Sequence, residues 1–122
     1  MHQLKTRVFQ RWQKKAGITD GALLAALAEM QAGLIDADLG GGVVKKRIAH
    51  GGRGKSAGAR TLLATNKGTH WIFIYGFDKN QRANITPSEL ETLQIVAEGL
   101  LALNNKAIAI AIDDGTLLEI KI

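Results

Sequence analysis

Within AHGGRGKSAGAR, residues 49–60, the triplet Gly54-Lys55-Ser56 is the end of a phosphate-gripping loop, and Arg53 and Arg60 add a guanidinium on either side of it. Two chemistries use such residues. In a nucleotide-binding P-loop, glycines let backbone N–H groups cradle the phosphates, and a helix starting at the Lys-Ser pair aims its N-terminus at them. In a nucleic-acid-binding loop the same side chains grip phosphates as cations. The P-loop pattern asks for a glycine five positions before Gly54, where this chain has Ala49, and Gly58 interrupts the first turn of the helix it needs. AIAIAIDD, residues 107–114, mimics an apolar strand whose acidic end holds magnesium, but the remaining chain is too short for several parallel strands. The sequence points away from an NTPase.

The charge distribution favours a polyanion. The net charge is +5, and it is concentrated: +1 over residues 1–42, +8 over residues 43–82 and −4 over residues 83–122. Such a band is the footprint expected of nucleic-acid binding, although surplus Lys and Arg also make an ordinary solvated surface. Lys45, Lys46, Arg47 and Arg53 belong to the band and are expected to bind substrate phosphates.

The 122 residues suit a single domain, 1–122, with one modest core. There is no cysteine, so neither disulfides nor a thiolate metal site enter. His50 and His70 have no carboxylate at ligand spacing and read as surface residues, so no metal is expected. No apolar run approaches the ~18 residues of a membrane span, and MHQLKTRVFQRWQKK carries charges where a signal peptide needs an apolar stretch. A cytoplasmic chain with no membrane partner is the expectation.

These residues must be positioned by a small set of elements. LKTRVFQRWQKKAGI begins as a short strand and continues as a helix, with Val8, Phe9 and Trp12 on roughly one face, ended by Gly17. TDGALLAALAEMQAG offers Thr19 or Asp20 as N-cap, with Leu23, Leu27, Met30 and Leu34 at helical spacing, so the pair reads as a helical hairpin. DADLGGG reads as a loop, with Gly40 to Gly42 a turn, and VVKKRIA as a strand with one wet face. RTLLAT and THWIFIYGF, joined by NKG, form a β-meander. In TPSELETLQIVAEGLLAL, Thr86, Pro87 and Glu89 spell an N-cap, a first-turn proline and a capping box ahead of a stripe of Leu90, Leu93, Val96, Ala97, Leu100 and Leu101. NNKAIAIAIDD fits a strand or a helix, and TLLEIKI is extended.

With the elements located, DADLGGGVVKKRIAHGGRGKSAGARTLLATNKG followed by FIYGFDKNQRANITPSELETLQIVAEGLLAL resembles the RelE-like toxins of bacterial toxin–antitoxin modules, within the RelE/ParE superfamily. The likeness covers nearly the whole chain, and the GRGKSxGxR loop followed by YGFxKNxRANI is more specific than either half. It implies an α+β fold, an amino-terminal helical pair on a twisted, mostly antiparallel sheet with a further helix after the meander, and helical character for NNKAIAIAID. It also implies a cognate antitoxin as partner, with the ribosome and messenger RNA as targets of a metal-independent endoribonuclease that needs no cofactor. Lys55, Arg60 and Arg82 match the basic positions of the family's motifs, Lys79 is the next catalytic candidate, and Asn84 orients the phosphate or the local loop. The chain departs from the pattern at Gly52, where relatives carry proline, at Ala59, where they carry an aromatic, and at Gln81, where a glutamate is usual.

Such a nuclease is chemically sound. When a ribose 2′-hydroxyl attacks its own phosphate, the phosphorane gains negative charge that nearby cations stabilise preferentially. Arg60 and Arg82 suit paired donation to phosphate oxygens, while Lys55 or Lys79, crowded by other cations, can exchange a proton near neutrality. Tyr75 and Phe77 lie two apart on a strand and so share a face, where they stack on a base or else form sheet core. Trp12 and Trp71 read as packing residues. Arg60 and Arg82 have an alternative in pairing with Asp78 or helix carboxylates, and a non-catalytic or gyrase-directed binding protein of the superfamily is the competing function.

Overall fold

The computed structural model describes residues 1–48 and 58–122; the loop residues Arg53 and Lys55, and with them His50, lie outside the described residues. The element order is β1 (His2–Thr6), α1 (Arg7–Ala16), α2 (Asp20–Gln31), β2 (Ala37–Gly40), β3 (Val43–Ile48), β4 (Ala59–Thr65), β5 (His70–Asp78), α3 (Pro87–Leu101), α4 (Asn105–Asp114) and β6 (Leu117–Glu119). The strands form one sheet in the order β2-β3-β4-β5-β1-β6. All neighbours are antiparallel except β1 and β5, which are parallel. The expected α+β architecture is therefore the observed one.

Helices cover both faces of the sheet. On one face Phe9 of α1 and Leu23, Leu27 and Met30 of α2 pack on Val44, Ile48, Leu63, Trp71 and Phe73. On the other, Ala97 of α3 and Ile108 of α4 pack on Val43, Leu62, Ala64, Ile72 and Ile74. Each helix begins where an oxygen side chain caps it: Thr6, Thr19, Thr86 and Asn104 accept from the N–H of Phe9, Ala22, Glu89 and Ala107. Gly17 and Gly115 end α1 and α4 at φ 72° and 84°, a left-handed conformation that suits glycine.

Three expectations are corrected. DADLGGG is not all loop: residues 37–40 pair antiparallel with β3 as an edge strand, because Ala37 and Leu39 alternate half-buried with exposed Asp38. His70 is not a surface residue; it is 7% exposed, and its Nε2 donates to the Leu103 carbonyl at 2.8 Å beyond the end of α3. Val8 and Leu34 do not face the core but are 63% and 61% exposed, since Val8 sits on the outer side of the first turn of α1 and Leu34 lies past the end of α2. AIAIAI, which fitted a strand or a helix by its pattern and a helix by the resemblance, is helix, bounded by the Asn104 and Gly115 caps. Among the described residues no single helix is long and apolar enough to cross a membrane.

Candidate nucleic-acid interface

Strand parity decides which cations meet. Side chains alternate between faces along a strand, and directly paired residues on neighbouring strands share one. Lys45 pairs with Leu62 and Arg47 with Arg60, and Leu62 belongs to the core beneath α3. Lys45, Arg47 and Arg60 therefore lie on the α3 face of the sheet. Arg60 pairs in turn with Phe77, and Leu62 with Tyr75, on β5. This places the two aromatics on the same face.

A β-bulge accounts for that placement. Trp71 and Phe73 pack under α1 and α2, so strict alternation would send Tyr75 and Phe77 the same way. The register between β4 and β5 instead shifts at Leu62/Leu63, which pair with Tyr75 and Phe73 and leave Ile74 as the additional residue. The extra residue reverses the parity of everything after it, a known way for bulges to re-aim side chains. Tyr75 and Phe77 do share a face, with ring centroids 6.3 Å apart. Phe77, however, is 3% exposed, and the Arg82 guanidinium lies over its ring at 5.6 Å. Phe77 is thus a buried support in this arrangement and not an open stacking platform; Tyr75 is half-buried.

Arg82 is held from several directions. Its Nη1 and Nη2 form a bidentate pair with Glu89 of α3, Nη1 also donates to the Tyr75 hydroxyl at 3.4 Å, and Nε donates to the Asn84 carbonyl at 3.0 Å. Arginine has five N–H donors, so these four bonds leave one for a ligand. The expectation that Arg82 offers paired donors to a phosphate is corrected on that ground; the alternative of pairing with a helix carboxylate is the one realised. Hydrogen bonding from Arg82 first, then from the Thr86 N–H, holds the Glu89 carboxyl down to about 2, and Glu89 in turn raises the Arg82 pKa. The same carboxylate closes the capping box by accepting from Thr86 N–H at 2.8 Å. One residue thereby fixes both the start of α3 and the return of the chain from β5.

Lys46 is corrected outright. One position along from Lys45 and Arg47, it points to the opposite face, is 3% exposed, and bonds to Glu29 of α2 and the Leu34 carbonyl, each at 2.8 Å. It is a structural cation. Arg47 stays exposed on the α3 face with Asp36 as partner at 3.2 Å; Arg60 is half-buried, Lys79 and Asn84 are exposed, and the Asn84 side chain accepts from the Ile85 N–H at 2.9 Å. The arrangement thus puts Lys45, Arg47, Arg60 and Tyr75 on one face of the sheet, with Arg60 the cross-strand partner of Phe77 and Arg82 over the Phe77 ring, while Lys55 and Arg53 lie outside the described residues. Sequence reasoning offered a helix carboxylate as the alternative partner of Arg82 without singling out Glu89, whose capping-box position was legible.

After Gly58 the chain is strand β4 and not the helix that a P-loop requires. Among the described residues no group of three or more His, Asp or Glu is placed to hold a metal ion. The family model described as the RelE toxin of the RelE/RelB toxin–antitoxin system matches residues 1–120. No curated protein matches.

Proposed function

The chain belongs to the RelE toxin family, the toxin side of a module whose other member is an antitoxin protein, and from that premise we propose that it is a ribosome-dependent messenger-RNA endoribonuclease that stops translation, working through cationic side chains in the cytoplasm. The observation that carries this is the face bearing Arg47 and Arg60. Two like charges directly opposite each other on adjacent strands are unfavourable, and here Lys45 stands on the same face beside them. Arg47 has an exposed surface partner in Asp36, and a polyanion is the ligand to which such a concentration of cations on one face adds attraction.

In the proposed reaction the 2′-oxygen of the ribose forms a bond to phosphorus as the bond to the 5′-oxygen breaks, leaving a 2′,3′-cyclic phosphate. Arg60 and Arg47 oppose the charge that develops on the non-bridging oxygens, a preorganised electrostatic effect that is often the largest catalytic contribution. Lys55 and Lys79 are the candidates for taking the 2′ proton and returning one to the leaving oxygen. Arg82 orients Tyr75 from behind, and Asn84 supplies the carbonyl that fixes Arg82.

Brief induction of the chain without its antitoxin should arrest growth and produce transcript cuts that vanish when ribosomes are kept off the message. Normal translation in induced cells would end the proposal. The commitment of Arg82 to Glu89 favours one second reading, a basic face that binds its target without cutting it; growth arrest with intact transcripts would select it.

A further inference from the structure

β1 pairs with β5 only as far as Lys5 and Phe73, because the chain then turns into α1, while β5 runs on to Asp78. The space beside the end of β5 is a slot of about 260 Å³ walled by Val8 and Trp12 of α1, Tyr75 of β5, and Gln81 and Arg82 of the returning chain, with Phe9 among the lining residues. Val8 is 63% exposed at its rim. Trp12 is held in place by the absence of a neighbour: a Cβ on Gly76 would collide with the six-membered ring of its indole. Glycine there lets the ring lie against β5.

We propose that this slot receives one base of the RNA whose phosphates lie on the cationic face, a step that rests on the nuclease proposal. Its volume is below the ~300 Å³ at which pockets for drug-sized ligands begin, so it suits a single ring system better than a whole nucleotide or a stretch of peptide. Its walls include an indole, a phenol and a guanidinium, the planes on which unstacked RNA bases are held. The Gln81 amide offers both a donor and an acceptor to a base edge. Pairing with Glu89 offsets the charge of Arg82, which leaves its plane as the useful feature. The slot adjoins the cationic face through its lining, since Tyr75 lies on that face, Arg82 lies over Phe77, and Phe77 is the cross-strand partner of Arg60.

The chain has two tryptophans, which makes a direct test. Trp71 is 2% exposed and its indole N–H is bonded to the Gly68 carbonyl at 3.2 Å, so its nitrogen-15 signal is an internal reference for that of Trp12. Titration with a single-stranded RNA hexamer, protected from cleavage by 2′-O-methyl groups, should move the Trp12 indole signal and leave Trp71 fixed. A ribose-phosphate hexamer without bases should leave Trp12 still. Val8→Glu, an exposed substitution, should weaken hexamer binding by about fivefold or more, the loss expected for about one stacked base, with Trp71 reporting an intact fold. Shifts on β3 and β4 with a motionless Trp12, or equal Trp12 shifts with the baseless hexamer, overturn the slot alone. No shift anywhere overturns it together with the RNA-binding proposal. A Trp12 signal that moves only on adding antitoxin overturns it in favour of a protein side chain as occupant.

Discussion

The two faces of the sheet use their cations in opposite ways. Beneath α1 and α2, Lys46 and Lys5 are almost fully buried and each is matched: Lys46 by Glu29, and Lys5 by Asp20 and Gln13 at 2.8 Å. Asp20 completes a network by accepting from Gln13 and from the Lys121 backbone N–H. Burial alone would raise the Asp20 pKa, but the hydrogen bonds from Lys5, Gln13 and Lys121 outweigh it and hold the group below its ordinary value. On the α3 face, Lys45, Arg47 and Arg60 are exposed or half-buried, with two arginines set directly opposite each other. A cation that is desolvated must be matched inside the fold, whereas one at the surface, like Arg47 with its exposed partner Asp36, keeps contact with water and can exchange partners for a ligand. Neighbouring residues on one strand, Lys46 and Arg47, fall on either side of that division.

The contrast can be broken or sharpened by substitution. Asp20→Ala strands the Lys5 ammonium and should cost about 3–5 kcal/mol, read by urea denaturation; Lys5→Met with Asp20→Leu should recover most of that loss, and failure to recover would mean that the network does more than balance charge. Gly76→Ala, on the α1 side between Tyr75 and Phe77, forces Trp12 off the sheet and should cost about 1–3 kcal/mol; an unchanged melting temperature would show that the indole is not seated there. Arg47→Ala should cost less than about 1 kcal/mol, because its pair with Asp36 is well exposed.

The Arg82 and Glu89 pair gives a pH signature. The folded pKa of Glu89, about 2, is depressed from the usual 4.5, so its contribution is complete above about pH 4.5 and is lost as the pH falls towards 2. Glu89→Gln should flatten that part of the acid-side fall in melting temperature while leaving the neutral and alkaline limbs parallel to the parent's. An acid limb identical in both proteins would remove Glu89 from this role.

Much of the fold was legible because local signals agreed with one another. Thr86, Pro87 and Glu89 mark the start of α3, and Gly17 the end of α1, through side chains that act within a few residues. β2 was hidden because an edge strand of four residues beside three glycines has little pattern of its own; it exists through pairing with β3. For α4 the alternation of Ala and Ile suggested either element, and the capping residues decided it. At the site, residue types indicated a cationic surface, but alternation alone could not say that the bulge at Ile74 would carry Tyr75 and Phe77 away from Trp71 and Phe73. The fate of Arg82 depended on a helix seven residues further on, a tertiary contact to which its sequence motif is silent.

The most direct test compares one cation from each face in cleavage of ribosome-bound message by purified protein. Arg60→Ala should slow cutting by about 10²-fold or more, the scale of a lost electrostatic contact to a transition state, while Lys46→Met, which keeps the buried stem, should cut at the parent rate wherever it remains folded. Full activity in folded Arg60→Ala, or a selective loss in folded Lys46→Met, would contradict the assignment of the α3 face to RNA.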